Sequence, residues 1–306
     1  MREPDGGHWD DYRYALAVAR TGTVSAAARQ LGVDHATVIR RIDRLERQLG
    51  ERLFHRRASG YVPTEAGLAA AATADAVESA IINGQTIMGR SAARLTGTVR
   101  IGAPDGFGST FLAPRLTGLV ERQPDLDIQL VATARLFSLS KREADIAIGL
   151  SLPPEGRIVG RKLTDYELKL YASPLYLRRA PLIASRRDLA QHRFVGYIEE
   201  LLYTPELDYL SQVSPEIGAR LRSANVNAQL QAVAAGIGIA VLPCFMAAER
   251  RDLVCVLPDE VTLTRSFWLL MHADSRDLAR IRAVAEHIYA VVERDRAVFF
   301  HGRRPG

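Results

Sequence analysis

Apolar residues recur every three or four positions through "WDDYRYALAVARTGTVSAAARQLGVDHATVIRRIDRLERQLG", and glycine interrupts the rhythm three times. That period, at about 100° per residue, predicts three short amphipathic helices. The first is expected from about Asp10 to Arg20, with Asp10 able to cap its start, Tyr12, Leu16 and Ala19 facing inward, and Gly22 just past its end. Thr23 offers a hydroxyl cap to a second helix, Val24 to Leu31, whose Ala26, Ala27 and Ala28 permit close packing. Gly32 breaks that helix, Asp34 can cap a third from His35 to Leu49, and Gly50 stops it. Two helices joined by a tight glycine-containing turn form a helix-turn-helix, here at about 24–43.

The third helix carries two faces. Val38, Ile42, Leu45 and Leu49 fall in one stripe and are the expected core side. Opposite them lie Ala36, Arg40, Asp43 and Arg47, flanked by Thr37 and Arg44 on one side and by His35 and Ile39 on the other. An amphipathic helix with a solvated basic face shows the same periodicity, so this pattern alone does not decide between packing and recognition. The residues after Gly50 favour recognition. "LFHRRASGYVPT" sets His55, Arg56 and Arg57 before a Ser59-Gly60 turn and a β-prone Tyr61-Val62, which predicts a small hairpin, or wing. A helix with small and hydrogen-bonding residues first and cations behind them, beside a basic wing, suits base edges and phosphates.

Charge sharpens the picture. The chain carries a net charge of +5, and all but three of its 40 basic residues are arginine, so arginine placement matters more than its abundance. From Arg29 to Arg57 there are eight arginines against four acids. The surplus is concentrated on the helix-turn-helix and wing, where a polyanion would be met.

"AARQLGVDHATVIRRIDRLERQLGERLFHR" followed by "PTEAG" resembles the N-terminal domain of LysR-type transcriptional regulators along the whole module. One position departs: residue 39 is Ile where serine is usual, so it would touch a thymine methyl or pack sideways. The resemblance implies a winged helix-turn-helix whose third helix enters the major groove of double-stranded DNA. It assigns His35, Ala36, Thr37 and Arg40 to base edges, with Arg40 able to pair bidentately with guanine. Ser25, Arg44, Arg56 and Arg57 would bind phosphates, and Asp43 would repel the backbone and so oppose indiscriminate binding.

Thr64 is expected to cap a long alanine-rich helix to Ala93, about 45 Å if unbroken, with Gly84 and Gly89 weakening its end. Leu68, Ala72, Val77, Ile81, Ile82 and Met88 are too apolar for an isolated helix, so it either lies on its own domain or dimerises. The texture then changes. "TVRIGAP", "LDIQLVA", "ADIAIGL", "RFVGYI", "DLVCVLP" and "SFWLLMHA" read as strands. A helix is expected over "GSTFLAPRLTGLVERQP", another within "ANVNAQLQAVAAGIGIAVLP", and a last one from about Asp277 to Arg294. "KLTDYELKLYAS" and "TRSFWLLMHA" are candidate crossings between two subdomains. This half too is similar to the LysR family, whose C-terminal part is a two-lobed, periplasmic-binding-protein-like (type 2) α/β domain. The expected fold class is therefore α + α/β: winged helix-turn-helix over 1–64, linker helix over 65–94, effector-binding domain over 95–300 and a disordered tail over 301–306.

Catalysis finds little support. "GIGIAVLP" lacks the lysine and hydroxyl of a phosphate loop, no G-x-S-x-G occurs, and His192, His272, His287 and His301 are scattered. Cys244 and Cys255 have no metal-ligand spacing and read as small buried hydrophobes. No enzyme activity, metal or cofactor is expected. In a two-lobed domain the ligand sits at strand ends and helix N-termini. The effector candidates there are Asp105, Phe107 and Ser109 in "APDGFGST", Thr133 and Arg135 after the second strand, Tyr197 in the other lobe, and Asn225 and Asn227. Arg135 would suit a carboxylate, and Asp105 would disfavour one unless paired with Arg135. "YIEELLYTPELDYL", with Tyr197, Tyr203 and Tyr209, is either a loop over the cleft or a dimer contact. With no apolar run long enough to span a bilayer and no secretory leader, a cytoplasmic protein without membrane contact is expected. The resemblance implies an operator, a small organic effector, a homodimer or homotetramer and RNA polymerase as partners. The alternative is a solute-binding or small-molecule enzyme domain whose N-terminal helices only dimerise.

Overall fold

The computed structural model describes residues 9–57, 60–87, 95–135, 143–152 and 158–302. Ser59, the linker stretch from Met88 to Ala93 and the last four residues of the tail, on which expectations rest, lie outside the described residues. The chain divides into two compact units, one of Met1–Thr98 with Asp277–Arg280 and one of Val99–Arg276 with Ile281–Gly306.

In the first unit α1 (Trp9–Thr21), α2 (Val24–Leu31) and α3 (His35–Leu49) precede a hairpin of β1 (Phe54–Arg57) and β2 (Gly60–Pro63), then α4 (Glu65–Ile87). Asp10 lies inside the first turn of α1 rather than before it. Thr23 accepts the Ala26 N–H at 3.2 Å and Asp34 accepts the Thr37 N–H at 2.7 Å, so both hydroxyl and carboxylate caps form. Gly32 closes α2 in the left-handed region at φ 68°, which makes the turn between the two helices possible. Val18, Ala27, Val38, Ile42, Leu45, Leu53 and Phe54 form the core. The stripe expected on α3 departs at its end. Leu49 is exposed, and Glu46 is buried in its place. Its carboxylate accepts the Leu53 N–H at 2.8 Å and binds Arg52 at 2.9 Å, tying the chain that enters the wing back onto α3.

At the start of α4, Thr64 donates to the Arg52 carbonyl at 2.6 Å and accepts the Gly67 N–H at 3.0 Å. A Cβ on Gly67 would stand 1.9 Å from the Leu53 carbonyl oxygen, so "TEAG" needs glycine for close approach. Arg20 at the end of α1 binds Asp75 at 2.5 Å and Glu78 at 2.7 Å on α4.

The second unit is built on a nine-stranded sheet. Its elements are β3 (Gly97–Ala103), α5 (Thr117–Arg122), β4 (Leu126–Ala132), β5 (Ile146–Gly149), β6 (Ile158–Ala172), α6 (Pro174–Leu177), β7 (Phe194–Gly196), α7 (Leu210–Val213), β8 (Ala219–Arg222), α8 (Val226–Ala234), β9 (Ile239–Pro243), α9 (Cys244–Ala247), β10 (Val254–Val256), β11 (Leu263–His272) and α10 (Ala279–Arg294). Strand order is β4-β3-β5-β11-β6-β9-β7-β8, with β10 also on β6. The long β6 pairs with β11 through its first part and with β9 and β10 through its end. It thus crosses from one half to the other, as "KLTDYELKLYAS" is expected to do. The helix expected over 108–124 is instead three pieces, with π-helix at Phe107–Leu112 and 3-10 helix at Ala113–Arg115 before α5. Pro114, which has no N–H to donate, falls at the break.

Candidate nucleic-acid interface and effector cleft

On α3 the side chains facing away from the core are short, polar and linked. Thr37 donates its hydroxyl to Asp34 at 2.7 Å and accepts from Arg40 at 3.3 Å. The capping bond to the Thr37 N–H and its hydroxyl together hold the Asp34 carboxyl below its ordinary value, the hydroxyl contributing most. Cap, threonine and arginine therefore form one chain that steadies Arg40. Ser25, His35, Ala36 and Arg40 are exposed and Thr37 is half-buried.

The arginines behind them divide. Arg44 places Nε and Nη2 on Asp11, both at 2.5 Å, and Arg41 reaches the same carboxylate at 3.1 Å. Asp11 is wholly buried, so Arg44 is drawn toward α1 and not simply presented outward. Arg56 is held at 2.5 Å by Asp43 and lies over the Tyr61 ring at 5.7 Å, while Arg57 is exposed on the wing. Asp43 thus fastens wing to helix, a role its position on the helical wheel does not reveal. Ile39 packs sideways against the core. Asp11 and Arg41 escaped sequence reading, although a first-turn carboxylate opposite arginines three residues apart was an available signal.

In the second unit, Asp105, Ser109, Asn225 and Asn227 come together at the start of α8. Asp105 accepts the Val226 N–H at 2.8 Å, and Asn227 Nδ2 donates to Ser109 Oγ at 3.2 Å, which in turn donates to the Asp105 carbonyl. Asn225 caps α8 through the Ala228 N–H at 3.0 Å. The protein's own carboxylate therefore fills the position where a helix N-terminus would receive an anion. Burial pushes the Asp105 carboxyl upward, against the backbone N–H bonds that favour its charge.

The other candidates fare differently. Phe107 lines the cleft without being exposed at its rim. It is buried, 4.5 Å from Phe267 and 5.2 Å from Phe111 between ring centroids, within an aromatic cluster that also holds Phe245 and Phe299. Arg135 pairs with Glu143 at 3.0 Å and is exposed, while Asp105 bonds to Val226. Of the polar candidates, Asp105 and Tyr197 line the cleft, whereas Ser109, Asn225, Asn227, Thr133 and Arg135 do not. The cleft itself is nearly closed. Tyr203, Leu207 and Tyr209 from "YIEELLYTPELDYL" enter it beside Tyr197, leaving about 20 Å³, room for a single water. Burial pushes the Tyr209 hydroxyl up to about 12, and Tyr166 donates a hydrogen bond to it. The histidines expected to be structural include His192, buried against the Tyr176 hydroxyl at 3.0 Å, and His287, 2.8 Å from the Arg115 carbonyl. Burial raises both Cys244 and Cys255 to about 11, which keeps them neutral thiols. Among the described residues no cluster of ligands is placed to hold a metal ion and no helix is long and apolar enough to cross a membrane.

Residues 9–68 match the profile of the bacterial regulatory helix-turn-helix protein of the lysR family, and residues 92–293 match the LysR substrate binding domain. The chain belongs to the LysR family of DNA-binding transcriptional regulators. It is 31% identical over 274 residues to the Mau operon transcriptional activator of Paracoccus denitrificans, covering 88% of this chain and 91% of that protein. It is 26% identical over 296 residues to the HTH-type transcriptional activator TtdR of Escherichia coli, covering 92% of each. In fold it is similar to the Vibrio cholerae virulence activator AphB (TM-score 0.54, 23% identity, 92% of this chain and 99% of that chain). It is likewise similar to CrgA of Neisseria meningitidis (TM-score 0.58, 22% identity, 92% and 97%). The protein is a transcriptional regulator with an effector-binding C-terminal half.

Proposed function

We propose that this regulator reads a partly palindromic operator with the outer face of α3, His35, Ala36, Thr37 and Arg40 meeting base edges. Ser25, Arg44, Arg56 and Arg57 hold phosphates, Arg44 and Arg56 while sharing their charge with Asp11 and Asp43. The observation that carries this reading is the Asp34–Thr37–Arg40 chain, which presents an exposed, pre-oriented guanidinium at the groove-facing end of a capped helix. The working protein is a cytoplasmic homodimer or homotetramer without catalysis, metal or cofactor. Its organisation is a DNA-binding domain over 1–64, a linker helix over 65–94 and an effector domain over 95–300. A small organic effector, received near Asp105, Ser109, Tyr197, Asn225 and Asn227 when the tyrosine loop withdraws, shifts the population between arrangements of the DNA-binding heads and so alters contact with RNA polymerase.

Duplex titration at two salt concentrations tests the core of this. Tight binding to DNA flanking the protein's own coding region, weakening steeply as salt rises, is expected. Absence of binding to any duplex at low salt would overturn it.

A further inference from the structure

The C-terminal unit holds a second, far larger cavity. It encloses about 440 Å³ between β7, β8, α8 and the segment from Glu199 to Ile217, against about 20 Å³ in the cleft. That size lies within the range of small-molecule sites. Its walls are aliphatic, with Val195, Leu202, Leu210, Ile217 and Val241. Set among them is the amide of Gln229, a residue only 1% exposed, whose Nε2 is committed to the Ser223 carbonyl at 2.9 Å. Its oxygen is the acceptor such a wall offers. The charged residues lining the cavity are Glu199 and Asp208, both exposed, and neither lysine nor arginine joins them. Arg222 approaches Glu199 at 3.9 Å without lining the cavity, so Asp208 carries more of the local negative charge.

We propose that this cavity is a second ligand site, distinct from the cleft, that takes an apolar amine. An aliphatic interior favours a hydrocarbon or aromatic body. The glutamine oxygen accepts an N–H, and two carboxylates favour a cation over an anion. A carboxylate ligand meets no positive partner there. The cavity and the cleft share Tyr197, Leu207 and Tyr209 as a common wall. A ligand behind that wall fixes the side chains that fill the cleft, so the site is coupled to the one proposed for the effector but does not depend on it.

Isothermal titration calorimetry of the full chain with phenethylamine, phenylpropionate and phenethyl alcohol tests the site. Phenethylamine is expected to bind best and phenylpropionate about tenfold or more weaker, a difference near 1.4 kcal/mol. Pro215→Trp, at an exposed lining position, should fill the cavity and weaken phenethylamine by a similar factor without changing the melting temperature appreciably. Asp208→Lys should reverse the preference toward phenylpropionate. Tyr203→Trp, which enlarges a side chain that lines the cleft and not the cavity, should leave phenethylamine binding unchanged. The proposal is overturned if phenethylamine does not bind, if phenylpropionate binds the native chain as well, or if Asp208→Lys leaves the order unchanged. Loss of binding in Tyr203→Trp but not in Pro215→Trp would also overturn it, by placing the ligand in the cleft while leaving the effector reading intact. Loss of DNA binding by the native chain would count against the regulator reading alone.

Discussion

The two units of this protein present their working surfaces in opposite ways. On α3 the outward side chains are exposed or half-buried and held by bonds spanning three residues, Asp34 to Thr37 and Thr37 to Arg40. In the C-terminal unit the polar candidates are tied by bonds across 118 and 121 residues, and tyrosines fill the cleft beside Asp105. A surface that must meet a rigid polyanion gains from local pre-organisation. A cleft that must respond to a ligand gains from side chains that a ligand can displace. Substitutions that disturb one surface while sparing the other test this contrast.

The largest effect is expected at Gly67. Alanine there would drive its Cβ into the Leu53 carbonyl, whose neighbour Phe54 begins the wing. A loss of about 3 kcal/mol in the stability of the N-terminal unit is expected, read by urea denaturation, together with loss of DNA binding. Two changes of about 2 kcal/mol then separate the surfaces. Arg40→Ala should weaken operator binding by that amount and relax preference at one base pair, measured by competition with operator variants. Equal weakening on every sequence would assign Arg40 to phosphates instead. Tyr203→Ala should cost a similar amount of fold stability, because it leaves space in the cleft, yet should not alter affinity for operator DNA. Thr23→Ala, which removes the α2 cap, should cost about 1 kcal/mol in thermal unfolding.

How much was legible divides along the same line. Caps at Thr23, Asp34 and Thr64, the glycine turn and the wing are local features, and local spacing reveals them. Glu46 replaced Leu49 on the buried side because a backbone N–H from Leu53, seven residues on, required an acceptor, and a helical wheel carries no such information. The same limit explains the salt links of Arg44 and Arg56, each made to a carboxylate in another element. At the start of α8, Asp105, Ser109, Asn225 and Asn227 were legible as strand-end and helix-start residues. Arg135 was not separable from them, since its partner Glu143 lies beyond the strand it follows. The tyrosine-rich segment was conspicuous as composition, but that Tyr209 turns into the cleft rests on its hydrogen bond with Tyr166, more than forty residues back along the chain.

The smallest expected effect bears on the buried carboxylate that stands in for a ligand. Burial raises the Asp105 carboxyl above its ordinary value of 3.8. In the unfolded chain the group loses its proton at that ordinary value, whereas the native protein retains it to higher pH. Its contribution to stability is therefore most favourable below pH 3.8 and declines as pH rises from there through the native value, after which the cost of the buried charge is fully present. Asp105→Asn keeps an oxygen for the Val226 N–H and removes the titration. Urea midpoints of the two proteins, compared from acid to neutral pH, should diverge in favour of the variant as pH rises across that window. A difference opening in the other direction would mean that the N–H donors at the start of α8 outweigh burial. The cleft would then favour negative charge, and an anionic effector could replace the carboxylate there.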